Sequence, residues 1–151
     1  FIEFENSAIS VDGNINKIFK VNPKYLSKYG DHIPGISSFE KEHLIKHGVK
    51  KNHIINVPIS SISMINLLKK FNIQSLDLLY IDAEGYDANI VIDFLKTTSI
   101  RPIIILEYIH VEKTIFETMT NILEKENYTL FTINENLLCY PKKDKQFIKF
   151  N

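Results

Sequence analysis

Hydrophobic and polar positions follow two rhythms along this chain, and the clearer one lies in its second half. LDLLYID (76–82) is a short apolar run closing on an acid, which predicts a strand. YDANIVIDFLK (86–96) then places Ile90, Val91, Phe94 and Leu95 on one side of a helix. PIIILEY (102–108) is almost wholly apolar, the pattern of a central parallel strand covered on both faces. In EKTIFETMTNILEKENY (112–128), Ile115, Met119, Ile122 and Leu123 recur at helical spacing. YTLFTINENLLCYPK (128–142) predicts a hairpin around Asn-Glu-Asn.

The first half is less regular. An extended segment starts with Ile2, Phe4 and Ala8 and ends near Val11, where VDGN (11–14) signals a tight turn because Asp-Gly adopts positive φ at little cost. NINKIFKV (14–21) is a second extended stretch, and residues 22–36, rich in Pro and Gly, predict a loop. SSFEKEHLIKHG (37–48) predicts a short helix, with Ser37 and Glu40 as a capping box and Gly48 as the stop. HIINVPI (53–59) is a strand, and Ser61 or Ser63 is placed to cap a helix over SMINLLKKFN (63–72). Strands alternating with helices and closing on a hairpin argue for one α/β domain over 1–151, with a parallel centre and an antiparallel edge.

Composition narrows the function classes. At 151 residues the chain holds one domain with a real core, and its 44% hydrophobic and 24% charged content is that of a globular protein. Lys+Arg and Asp+Glu balance at 18 each, so no overall field favours nucleic acid or an anionic membrane. No apolar run reaches the roughly 18 residues of a membrane span, and no secretory leader is visible. The single cysteine, Cys139, excludes an internal disulfide and reads as a buried thiol; a cytoplasmic location is expected.

The chemistry concentrates in LLYIDAEGYD (78–87). Ligands of open α/β sheets bind outside the carboxyl ends of parallel strands, and Asp82 sits at such an end. Residues two apart on a strand share a face, so Asp82 and Glu84 can point into one crevice. Gly85 permits a sharp turn, and Asp87 in the next helix's first turn complements its dipole. Glu107 ends the following strand in the same way, with His110 three residues on. Carboxylates so placed suit a general base or a ligand clamp. An acid after a strand can also simply cap the next helix, and His110 can equally be a structural or surface residue.

LDLLYIDAEGYDANIV followed by RPIIILEY resembles the C-terminal half of the FkbM family of S-adenosylmethionine-dependent methyltransferases. NSAIS with the following Asp-Gly, the Ser37–Ser38 pair and NVPISSISMINLL resemble the family's third strand, its Ser-rich segment and its lead-in to the Asp-x-Glu-Gly strand. The resemblance implies a Rossmann-like class I methyltransferase sheet, mostly parallel with an antiparallel C-terminal hairpin. It implies transfer of a methyl group to a hydroxyl of a sugar or other small molecule.

Carried over by the resemblance, Asp82, Glu84 and Glu107 are the candidate catalytic residues. Asn6, Ser7, Ala8 and Asp82 would lie against the cofactor, S-adenosylmethionine. Ser37, Ser38 and His110 would lie near the acceptor, although Ser37 serves equally as a cap. The family's glycine-rich loop and its ribose-gripping acid should precede Phe1. The chain opens FIEFENSAIS inside a strand-like pattern, and so reads as a C-terminal portion lacking the N-terminal strands and inactive by itself.

Other signals carry less. His43 and His47 stand four apart, a spacing at which two imidazoles can share a metal, but EHLIKH lacks the His-Glu-x-x-His order of zinc hydrolases. They read as a solvated helix face, and no metal is expected. A metal-dependent hydrolase or transferase using Asp82, Glu84, Glu107 and His110 is one competing reading. A degenerate α/β interaction domain is another.

Overall fold

The computed structural model describes residues 2–31 and 33–142. In chain order they form β1 (Ala8–Ile9), β2 (Lys17–Val21), β3 (Ser37–Ser38), α1 (Lys41–Lys46), β4 (Ile54–Pro58), β5 (Ser61–Ile62) and α2 (Met64–Lys70). There follow β6 (Leu78–Ile81), α3 (Asp87–Thr97), β7 (Ile103–Glu107), α4 (Lys113–Lys125), β8 (Tyr128–Ile133) and β9 (Asn136–Pro141). Short 3-10 turns occupy Pro23–Lys28, Ile33–Gly35 and Lys51–His53, the first two inside the predicted loop.

Periodicity located the second half well. Ile90, Val91, Phe94 and Leu95 are buried on α3, and Met119 and Leu123 on α4. With Ile81, Ile104, Leu106, Leu137, Cys139 and Tyr128 they form the larger hydrophobic cluster. Each such side chain removed from water contributes about 1.5–3 kcal/mol. Burial pushes the Cys139 thiol up to about 12, as expected of a core cysteine. A smaller cluster of Val21, Ile33, Ile36, Leu44, Val49 and Ile54 joins α1 to β2 and β4.

Strand pairing departs from the expected mostly parallel sheet. The strands fall into a parallel pair β1–β5, an antiparallel set β3–β2–β4, and a four-stranded sheet ordered β6–β7–β9–β8. In that last sheet β6 and β7 run parallel, while β9 is antiparallel to both β7 and β8. The long C-terminal hairpin inserts β9 next to β7, so antiparallel ladders outweigh the parallel one. Among the described residues β6 is an edge strand, not a central one.

Nor is β7 covered equally on its two sides. Ile104 and Leu106 are fully buried against the helices, whereas Ile103 and Ile105 are only partly buried. The row Tyr80, Ile105, Leu138, Phe131 crosses all four strands on the face away from α3 and α4. Tyr80 is 61% and Phe131 51% exposed.

Local caps also differ from expectation. Ser37 belongs to β3, opposite Lys20, so the capping box with Glu40 does not form. Ser38 supplies the local contact, its Oγ accepting the Glu40 N–H at 3.2 Å. Ser63 does stand at the N-cap of α2, but without a side-chain hydrogen bond, and Ser61 lies in β5. Gly48 ends α1 as predicted, with φ +84 and Val49 N–H donating to the Leu44 carbonyl.

Candidate active site

The loop between β6 and α3 carries the acidic motif. Beyond Ile81 the chain passes Asp82 and Ala83, then turns through two consecutive left-handed residues, Glu84 (φ +48) and Gly85 (φ +92). Tyr86 N–H closes the turn on the Ala83 carbonyl at 3.0 Å. A Cβ on Gly85 would stand 3.0 Å from the His110 carbonyl oxygen, so the loops after β6 and β7 touch at this glycine.

Asp87 stands in the first turn of α3, as expected for a residue that complements the helix dipole, and it has a second role. It is fully buried, and its carboxylate accepts the N–H groups of Ala83 at 3.2 Å and Gly85 at 3.1 Å. Burial raises its pKa despite these two bonds, which act in the opposite direction. Asp87 therefore holds the loop's shape, and Asp82 and Glu84 are left to face outward.

A cavity of about 530 Å³ opens at this end of β6. Asp82, Glu84, Ser37, Ser38 and Ala8 all border it, so five of the expected site residues meet around one space. Ile9, Met64, Leu79 and Ile90 provide apolar wall, and Phe39 and Tyr86 an aromatic corner, their rings edge to face at 4.9 Å. The volume is ordinary for a small-molecule site with apolar walls and few polar groups.

The remaining expected residues lie beside this cavity. Asn6 and Ser7 border a neighbouring space of about 360 Å³ with Ser60, and Ala8 is shared by both. Ser7 Oγ donates to Glu5 Oε1 at 2.7 Å, and Glu5 pairs with Lys70, which holds its carboxyl below the usual range. Glu107 follows the paired Ile81–Leu106 position by one step, level with Asp82. Burial raises the Glu107 pKa; His110 opposes that rise, and Asp82, Glu84 and Asp87 add to it. His110 Nε2 is 4.0 Å from Glu107 Oε2. Neither residue lines the larger cavity.

The histidine pair of α1 is not a solvated face. His43 is only 9% exposed, its Nε2 is 3.5 Å from Glu84 Oε2, and its ring lies 4.6 Å from that of His47. Leu44 and Val49 draw α1 into the smaller core, and that packing turns His43 toward the acidic loop. Among the described residues no three His, Cys, Asp or Glu side chains are placed to share a metal ion. Sequence reasoning missed His43, Asp87, Phe39 and Tyr86. The i, i+4 histidines read as a solvated helix face, with metal ligation the lesser alternative, and Tyr86 and Asp87 carry no site role in the reading of the quoted motif.

The family model of the methyltransferase FkbM domain matches residues 6–130, from the residues before β1 into β8. The chain belongs to the FkbM methyltransferase family. The match spans far more than half of the sequence and includes every residue around the larger cavity. No curated protein and no solved structure matches the chain. In this FkbM methyltransferase domain the acidic loop lies beyond the carboxyl end of β6, which runs parallel to β7, and ligands of open α/β sheets gather at such ends. Among the described residues no helix is long and apolar enough to cross a membrane.

Proposed function

We propose that this FkbM domain is an S-adenosylmethionine-dependent O-methyltransferase acting on a hydroxyl of a sugar or another small molecule. The observation that carries the reading is the meeting of Asp82, Glu84, Ser37, Ser38 and Ala8 around one cavity at the end of β6. The lining is compatible with the donor: carboxylates for its positive charges, and apolar wall for its purine. Asp82 and Ala8 are the residues that would hold it, with Asn6 and Ser7 beside them. Bound there, S-adenosylmethionine would supply an already activated methyl group, so the chain itself needs no metal to activate it.

The protein's share is then to align an acceptor oxygen and remove its proton. Glu84 is the carboxylate best placed for that task, since it borders the cavity and is 31% exposed. Ser37 and Ser38 offer hydroxyls to a polyol, and Phe39 and Tyr86 offer ring surface to its C–H faces. Glu107 lies behind the loop, and its raised pKa suits a residue that tunes the neighbouring acids.

The test is transfer of tritiated methyl from S-adenosylmethionine to a panel of sugars and glycosides by the full-length protein. Asp82→Asn and Glu84→Gln are each expected to lower transfer by about 10²–10⁴-fold with an unchanged circular dichroism spectrum. Full turnover in both variants would remove these acids from the reaction.

A further inference from the structure

His43 is buried although it stands on a helix of only six residues, and among the described residues its Nε2 has no hydrogen-bond partner. Glu84 Oε2 lies 3.5 Å away, just beyond a good hydrogen bond. A buried polar atom that lacks a partner costs roughly 1–3 kcal/mol, so a slight closure of this gap is favourable. The other side of the imidazole abuts the same loop, because a Cβ at Gly85 would come within 3.5 Å of Nδ1. The ring's back is fixed by the His47 ring at 4.6 Å and the His110 ring at 5.6 Å. The imidazole is thus held on several sides with one nitrogen aimed at one carboxylate.

We propose that His43 is a positioning residue that locks the Glu84 side chain toward the cavity. This rests on the reading of Glu84 as the acceptor-side carboxylate. Glu84 stands in a turn with solvent on one flank, and a free glutamate there would sample several rotamers. A donor at His43 Nε2 selects the rotamer that keeps Oε2 against His43 and leaves Oε1 for an acceptor hydroxyl on the cavity side. The rings of His47 and His110 keep the imidazole from turning away.

The test is nuclear magnetic resonance on the full-length protein, reading the three-bond couplings that report Glu84 χ1. Wild type is expected to show one dominant rotamer. His43→Gln, whose amide nitrogen can take the place of Nε2, is expected to retain it, and His43→Leu to show averaged couplings with an unchanged amide fingerprint elsewhere. Averaged couplings in wild type, or a locked Glu84 in His43→Leu, would overturn the proposal. So would one equivalent of Zn²⁺ shifting all three imidazole signals together, which would assign the cluster to a metal. If Glu84 is locked through His43 and yet Glu84→Gln transfers methyl at the wild-type rate, the positioning stands and the role given to Glu84 fails.

Discussion

The Gly85 amide donates to the Asp87 carboxylate at 3.1 Å, and this bond ties the turn of the acidic loop to the first residue of the helix that follows it. Ala83 N–H donates to the same side chain. Two loop amides therefore depend on one buried carboxylate.

Removing that carboxylate with a side chain of similar size, Asp87→Leu, is expected to cost about 2–4 kcal/mol, because both amides lose their partner. The linkage has a definite sign. Burial raises the folded-state pKa of Asp87, so its contribution to stability is fully present below the unfolded value of about 3.9 and is lost as pH rises through the folded value. Asp87→Asn lacks this ionisation. The stability difference between Asp87→Asn and wild type should therefore move in the variant's favour between pH 4 and pH 7, by at most about 1.4 kcal/mol per pH unit. Urea unfolding midpoints at three pH values check this, and a constant difference would contradict it.

Gly85 and Gly48 both have positive φ but differ in their surroundings. An added Cβ at Gly48 meets nothing within 4 Å, whereas at Gly85 it meets the His110 backbone carbonyl at 3.0 Å. Gly48→Ala is expected to lose about 1 kcal/mol from backbone strain alone, and Gly85→Ala distinctly more. Equal losses in chemical denaturation would mean that the two loops do not meet as described.

The chain has 18 Lys+Arg residues, and Arg101 is its lone arginine. Its guanidinium donates to the carbonyls of Thr98, Ile100 and Leu95 beyond and within the last turn of α3, and to Glu126 at 2.9 Å. A lysine has no planar fork to reach so many acceptors. Arg101→Lys should lower stability by about 1–3 kcal/mol, while Glu126→Gln, which loses only a partly exposed pair, should cost under about 1 kcal/mol.

The apolar face of the four-stranded sheet offers a further check. Tyr80, Phe131, Ile133 and Tyr140 are each about half exposed there. The folded protein is expected to bind a hydrophobic dye, and the double variant Tyr80→Lys, Phe131→Lys to bind several-fold less with little change in unfolding midpoint. Equal dye fluorescence would place the dye elsewhere.

Helical faces were legible in the sequence because a 3.6-residue period reports burial directly: Ile90, Phe94, Met119 and Leu123 all lie where the pattern puts them. Strand partners were not, because pairing is decided by elements far apart in sequence. Nothing local to PIIILEY reveals that β9 will lie antiparallel beside it. The acidic loop was legible for the same local reason, its strand, acids and glycine being adjacent. His43 was not, because its environment is created by α1 packing into a separate core some forty residues before the loop.

The backbone at Glu84 has one more consequence. Among the described residues three other non-glycine positions adopt positive φ, and all three are asparagine, the residue that tolerates this conformation best. Glutamate does not share that tolerance. Position 84 thus forgoes roughly 1 kcal/mol that a glycine or asparagine would restore, and it keeps a carboxylate instead. Glu84→Gly is expected to unfold at higher denaturant concentration than wild type. A lower midpoint would mean that the contacts of the Glu84 side chain outweigh the strain of its backbone.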